Sequence, residues 1–395
     1  MDKINFFPSN LEIKNQKIIL RLDLNVPLNN QIVTDSNRID KIIPTLEFLI
    51  DNNAKILILS HVGRPKGKII KELSMEPICK YLNEKLNQNI HFIKTDINNL
   101  KKQDLFDGRN GSILMLENLR FYDGEEKNNE EFAKTLASFG DLYVNDAFSC
   151  SHREHASVSK ITKYVPSYAG IQLMSEITAL KKITNNIIRP ITCIIGGSKI
   201  STKINVIKNL ITKFDNLIFV GGMANNILKN RNYQIGKSIF EVNCEDIVEN
   251  IFTLSKKENC NLIYPVDVSV SKEINGNVSV KKVNEILKDD LILDIGPKTV
   301  KILSKTIEES KTVLWNGPAG YFENKNFQYG SLEIAKKIAE RNKKNEIYSV
   351  AGGGDTVAAL NKFGLTKYFN FVSTAGGAFL EFLEGKKLPG IKALE

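Results

Sequence analysis

Short apolar runs recur along the chain, each closed by Gly, Pro, Asn or Asp and followed by a longer amphipathic stretch. They read "KIILRLDLNVP", "AKILILSHVGRP", "SILMLENLRF" and "DLYVNDAF" in the first half, then "ITCIIGGSK", "NLIFVGGMANN", "NLIYPVDVSV", "TVLWNGPAG" and "IYSVAGGGDT". Continuous β-branched runs alternating with helical segments predict buried parallel strands in βαβ units. The fold class expected is α/β with doubly wound parallel sheets. In such sheets ligands bind beyond the carboxyl ends of the strands, where every one of these runs places its polar residues.

The two halves differ in what those strand ends carry. Before about residue 170 they offer Arg, His, Asp and Asn; after about residue 190 they offer glycines, Lys and the "GGGD" turn. Between them, "IQLMSEITALKKI" places Ile171, Met174, Ile177 and Leu180 on one helical face. The expected organisation is an N-terminal domain over 1–170, an interdomain helix over 171–184 and a C-terminal domain over 185–379. No Gly/Ser linker or internal repeat separates them, which predicts close coupling of the two.

Composition changes this picture little. A chain of 395 residues with 42% apolar content can bury a sizeable core. Its formal net charge is +9, but the lysines are scattered and do not alternate with aromatics as a single-strand groove requires, so no nucleic-acid partner is expected. Five widely spaced cysteines form no CxxC pair, which points to reduced, packed thiols. "MDKINFFPSN" lacks a signal-peptide pattern, and no apolar run nears the roughly 20 residues of a spanning helix, so a soluble cytoplasmic protein without membrane contact is expected.

The polar strand ends carry the chemistry. Arg21, Asp23, Arg38, His61, Arg64, Arg120, His152, Arg153 and His155 fall in the first-half motifs. An arginine fork pairs bidentately with carboxylate or phosphate, so several converging on one crevice make an anion site; singly, they are solvated surface groups. His152 and His155 are three apart but lack an acidic or cysteine partner at metal-site spacing, which leaves proton donation or phosphate contact as their use.

In the second half, "GGSKISTK" puts Lys199 and Lys203 four apart after two glycines. It is not a Walker A sequence, and no strand end reads GxGxxG with a distant acid, which argues against a dinucleotide-binding dehydrogenase. "VAGGGDTVAA" combines bare backbone, an acid and a hydroxyl at a helix start, suited to phosphate amides and a magnesium ligand. "WNGPAGYFE" ends in Glu323, either a ribose acceptor or a solvated acid, and its lone Trp315 reads as core.

Taken in order, "RLDLNVP", "TDSNRI", "PTLEFL", "SHVGRP", "ENLRF", "GEEKN", "VNDAFS", "GGSKISTK", "VGGMAN", "DIGPKT", "WNGPAGYFE", "AGGGDT" and "STAGGAFLEFLEGK" resemble the phosphoglycerate kinase family nearly end to end. The wording "GEEKN" and "DIGPKT" resembles its bacterial branch. The resemblance implies two Rossmann-like domains joined by a hinge, with the tail 380–395 returning to the N-terminal domain. It implies reversible, in-line phosphoryl transfer between 1,3-bisphosphoglycerate and MgADP across a closing cleft, giving 3-phosphoglycerate and MgATP, by a monomer.

The same resemblance assigns the triose ligand to Asp23, Asn25, Arg38, His61, Arg64, Arg120 and Arg153. The nucleotide falls to Gly197, Lys203, Gly222, Glu323, Gly353, Gly354, Asp355 and Thr356, with Asp355 on magnesium. Arg38 and Lys199 flank the phosphoryl group in flight. The acceptor is a carboxylate, ionised near pH 7, so no general base is called for. Two positions depart from the family pattern: Ala375 in "STAGG" and Ser149 in "NDAFS" stand where Gly is frequent, and a methyl at 375 is tolerable only at negative φ.

Overall fold

The computed structural model describes residues 4–7, 12–106 and 112–395; much of the N-terminal decapeptide read above lies outside them. The chain divides into two compact units, one of residues 1–178 with 387–395 and the other of residues 179–386. Among the described residues no helix is long and apolar enough to cross a membrane.

The N-terminal unit is built on six parallel strands in the order Ile90–Ile93, Ile113–Leu116, Lys55–Leu59, Lys17–Leu22, Leu142–Asp146, Ser167–Ala169. Its central strands are buried along nearly their whole length, which is why they read as unbroken apolar runs. The chain reverses direction across the sheet between Lys17–Leu22 and Leu142–Asp146, and Asp23, Asn25 and Cys150 follow the ends of those two strands. Residues 387–395 complete this unit: Asn5 N donates to Leu394 O at 2.9 Å and Gly390 N to Ser151 O at 2.8 Å.

The C-terminal unit has its own six-stranded parallel sheet, ordered Asn261–Ile263, Asn216–Phe219, Ile191–Ile195, Thr312–Asn316, Tyr348–Gly352, Phe371–Ser373. Numbered along the chain this is 3-2-1-4-5-6, the dinucleotide-fold order, with its switch point between Ile191–Ile195 and Thr312–Asn316. Trp315 is fully buried there, its ring 6.2 Å from that of Phe369 and its Nε1 donating to Gly317 O.

Three features depart from the sequence-based expectation. "NLIYPVDVSV" is not one strand: Pro265 removes a ladder donor, and Asp267–Ser271 leaves the parallel sheet to pair antiparallel with Ser279–Lys282 and Leu291–Ile295. In the helix Ile171–Thr184 the buried stripe runs through Leu173, Ile177 and Leu180, while Ile171, its first residue, is 40% exposed. The strands Ile90–Ile93, Ser167–Ala169 and Phe371–Ser373 do not stand out in the sequence because they are partly buried and interrupt their apolar residues with His91, Ser167 and Ser373.

Candidate active site: two half-sites at two switch points

In the N-terminal unit, the turn after Lys55–Leu59 is the hub. Gly63 adopts φ +66°, and a Cβ there would lie 2.7 Å from Leu73 Cδ2, so only glycine fits. Its N–H donates to Asn25 Oδ1 at 2.9 Å and its carbonyl accepts from Arg120 Nη1 at 2.8 Å. Asn118 fastens the same turn by donating to Val62 O and Leu73 O. Arg38, in the first turn of the helix Asn37–Asp51, donates through Nη1 to Asp23 Oδ1 at 3.2 Å and Asn25 O at 3.1 Å. Asp23, Asn25, Arg38, Gly63 and Arg120 are therefore one bonded assembly, carrying His61 and Arg64 on its central turn.

Beneath it lies a buried relay. Arg21 is fully buried and donates from Nη2 to His61 Nδ1 at 2.9 Å, from Nε to Ser157 Oγ at 2.9 Å and from Nη1 to Leu22 O at 2.6 Å. Ser157 passes its own Oγ–H to Glu125 Oε1 at 2.6 Å, and its N–H bonds Glu125 Oε2 at 2.9 Å. A guanidinium has no acceptor, so His61 Nδ1 accepts, and the neutral ring holds its proton on Nε2. Burial, with Arg21, Arg120, His155 and Arg38 nearby, pushes the His61 pKa well below its ordinary value. His61 thus presents a fixed, neutral N–H donor.

His155 is pushed down to about 3, first by burial and then by Arg120 and Arg21, and its Nδ1 lies 3.8 Å from Glu125. It belongs to the relay rather than to an exposed anion contact. Arg120 Nε lies 3.4 Å from Glu126 Oε1, so both acids of "GEEKN" hold the half-site from below. Arg64 is exposed and Arg153 half-buried; neither makes an ion pair among the described residues.

The C-terminal unit holds a pocket of about 460 Å³ at its switch point. Gly197, Gly222, Ile239, Leu293, Pro318 and Phe322 make an apolar slot, with Glu323 and Asp355 also lining it. Gly197 has φ +135°, and a Cβ on Gly222 would meet Ile239 Cδ1 at 2.9 Å and Gly197 O at 3.1 Å. Lys203 donates to Gly196 O at 2.6 Å and Asn316 Oδ1 at 2.7 Å, and burial pushes its pKa down to about 8.

Three adjacent glycines do three different things. Gly352 carries the ring of Phe379, 2.5 Å from where a Cβ would stand; Gly353 takes φ +96° against Asn316; Gly354 opens the helix Gly354–Phe363 into open space. The first-turn amides of that helix, at Gly354, Asp355 and Thr356, have no helical carbonyl to bond, which makes an anion cradle. Thr356 itself is buried, its Oγ1 accepting from Gly317 N at 2.7 Å, so its side chain ties two strand ends together.

The phosphoglycerate kinase family profile matches residues 9–386. The chain belongs to the phosphoglycerate kinase family. It is 44% identical to phosphoglycerate kinase of Zymomonas mobilis over 387 residues, covering 97% of each chain, and 42% identical to that of Methylorubrum extorquens over 384 residues, covering 97% and 96%. Among solved structures, phosphoglycerate kinase from Coxiella burnetii superposes with a TM-score of 0.89 at 40% identity, covering 98% of this chain and 97% of its own. That from Pyrococcus horikoshii gives 0.83 at 27% identity, covering 98% of each.

The kinase's departures from the family pattern are accommodated. Ala375 is buried and not among the residues with positive φ, while the neighbouring Gly376 takes φ +50°. Ser149 is half-buried, with Oγ 3.7 Å from Cys150 Sγ. Sequence reasoning missed Asn316, Ser157 and Glu125 as parts of the half-sites. Asn316 and Glu125 stand beside glycine and Ser157 in an ordinary turn, so none carries a distinct sequence signal; each acts on another side chain rather than on a ligand.

A pH effect follows from Lys203. With its pKa pushed down to about 8, and on the expectation that Lys203 meets the nucleotide phosphates, a bound polyphosphate favours the charged form, so binding takes up a proton above that pH. ADP affinity is expected to hold from pH 6.5 to 7.5 and to fall by up to about tenfold by pH 9. Calorimetry across that range checks it, with Lys203→Met predicted to bind weakly and to lose the pH step.

Proposed function

We propose that this kinase transfers the acyl phosphate of 1,3-bisphosphoglycerate to ADP, and in reverse phosphorylates the carboxylate of 3-phosphoglycerate with ATP. The arrangement of each unit supports it. The N-terminal half-site is a bonded set of guanidinium groups and a neutral imidazole donor around Gly63, suited to a small phosphorylated carboxylate. The C-terminal half-site joins an apolar slot for a base to glycine turns, helix amides and Lys203 for phosphates.

In this reading Arg38, Arg64, Arg120, Arg153, His61, Asp23 and Asn25 hold the triose. Gly197, Lys203, Gly222, Glu323, Gly353, Gly354, Asp355 and Thr356 hold the nucleotide, and Arg38 and Lys199 face the moving phosphoryl group. The single observation that carries the reaction class is the chemistry of the N-terminal half-site: rich in fixed cations, with both of its buried histidines, His61 and His155, held neutral. A carboxylate nucleophile needs no base, so positioning and charge neutralisation suffice. Each unit supplies one substrate, and domain closure would exclude water from the acyl phosphate.

Magnesium fits at Asp355. Its carboxylate is exposed in the pocket lining with no side-chain partner among the described residues. Among those residues no three His, Cys, Asp or Glu converge, so a cation there draws its other ligands from nucleotide oxygens and water, as this hard ion prefers. Bound, it would neutralise charge on the transferring phosphates. We also propose a cytoplasmic monomer.

The test is a coupled assay with 3-phosphoglycerate and ATP, reading acyl phosphate through NADH oxidation by added glyceraldehyde-phosphate dehydrogenase. Magnesium-dependent turnover is expected, and Asp355→Ala is expected to lower it about 10²-fold or more. Folded protein with no turnover would end this reading.

A further inference from the structure

Lys199 is exposed on the loop that leaves strand Ile191–Ile195, and a flexible four-carbon stem serves a moving phosphoryl group only if its backbone is fixed. One end of the loop is fixed by a neighbouring strand and a helix: Gly196 N donates to Asn316 O, and Gly197 O accepts from Met223 N, both at 2.8 Å. The other end, the turn Ser201–Lys203, is fixed from outside the loop. Glu241 receives Ser201 N on Oε2 at 3.0 Å and the Ser201 hydroxyl on Oε1.

Glu241 can do this because its own backbone is anchored. It ends the segment Ser238–Glu241, which is pinned at three points: Ile292 N donates to Ser238 Oγ at 2.7 Å, Asn225 Nδ2 to Ile239 O at 2.9 Å, and Glu241 N to Asn226 Oδ1 at 2.7 Å. Asn225 and Asn226 are buried on the helix Gly221–Asn230. The same segment supplies Ile239 to the wall of the nucleotide pocket. The Ser201 donors hold the Glu241 carboxyl below the usual carboxylate range, so it is anionic at neutral pH. The Lys199 charge adds a smaller lowering at longer range, but among the described residues the two side chains form no salt bridge, so the carboxylate's hydrogen bonds go to Ser201 and not to the lysine.

We propose that Glu241 is a positioning residue: its carboxylate clamp on Ser201 sets the direction of Lys199 toward the transferring phosphoryl group, and ties that direction to the wall of the nucleotide pocket. The proposal rests on the reading of Lys199 given above. Because Asn225 and Asn226 hold the pocket wall, and Gly196 O and Asn316 Oδ1 hold the Lys203 ammonium, without the carboxylate, removing the clamp disturbs transfer and not nucleotide binding.

The experiment is a double-mutant cycle on the full chain with Glu241→Ala, Lys199→Ala and the pair, measuring kcat in the coupled assay and ADP affinity by calorimetry. Glu241→Ala is expected to lower kcat about tenfold or more, since a small misplacement of a positioning group is that costly. ADP affinity stays within about twofold, and the pair is no slower than Lys199→Ala alone. Losses that multiply in the pair, wild-type kcat in Glu241→Ala, or ADP affinity falling in step with kcat would each overturn the positioning role. Wild-type kcat in Lys199→Ala would instead remove the reading beneath it. Should Glu241→Ala fail to fold, Ser201→Ala deletes one of the two donors and is expected to show a smaller loss with the same non-additivity.

Discussion

Arg38→Ala is expected to lower kcat by about 10² to 10³ while leaving the protein folded, the scale of losing one preorganised charge contact at a transferring group. The geometry separates the two effects. Arg38 sits on the first turn of a helix with its guanidinium held by Asp23 Oδ1 and Asn25 O, so its direction is set before any ligand arrives. Its side chain is 28% exposed, and a partly solvated ion pair with Asp23 contributes at most about 1 kcal/mol to stability. Urea denaturation should therefore return a near-native midpoint for the variant whose turnover has collapsed. Arg38→Lys keeps the charge but not the planar fork, and should fall between the two. Steady-state kinetics with both substrates saturating decide it, and an Arg38→Ala enzyme at wild-type kcat would remove Arg38 from the chemistry.

What the sequence revealed and what it hid follow one physical division. Parallel strands buried on both faces, such as Lys55–Leu59 and Ile191–Ile195, announce themselves as apolar runs, and their ends carry the residues proposed for both half-sites. Asp267–Ser271 reads DVSVS and belongs to an antiparallel sheet; its alternation of polar and Val positions, after Pro265, is the sign of the change. The groups proposed to contact a ligand directly are legible because their type states their chemistry: Arg for anions, glycine turns for phosphates. Asn316 is not, since an amide bridging Lys203 and Gly352 O looks in sequence like any asparagine before a turn. "DIGPKT" was legible as a motif but not as a role: Asp294 is buried, accepts from Gly330 N and Ile295 N, and is pushed up to about 7 by burial, a fastening rather than a ligand.

The same division hides Arg21, whose loss is expected to be costly to the N-terminal unit. In sequence it is one strand-end arginine among several; in the structure no part of it reaches solvent. Arg21→Met keeps the length and removes the donors, leaving His61 Nδ1, Ser157 Oγ and Leu22 O without them and Glu125 buried without its relayed countercharge. Stripping one partner from a buried charge network costs about 3–5 kcal/mol. Unfolding in urea should show that loss by far-UV circular dichroism and tyrosine signals; the sole tryptophan, Trp315, lies in the other unit. The imidazole is freed at the same time. With no guanidinium on Nδ1, the proton can move between the two nitrogens, and the pKa rises only in part, since burial, the main cause of its depression, remains. Nitrogen-15 shifts of His61 read the tautomer directly: a protonated Nε2 and an accepting Nδ1 in the wild type, a mixture in the variant. A variant as stable as wild type with the single tautomer intact would mean that Arg21 neither supports the relay nor orients His61.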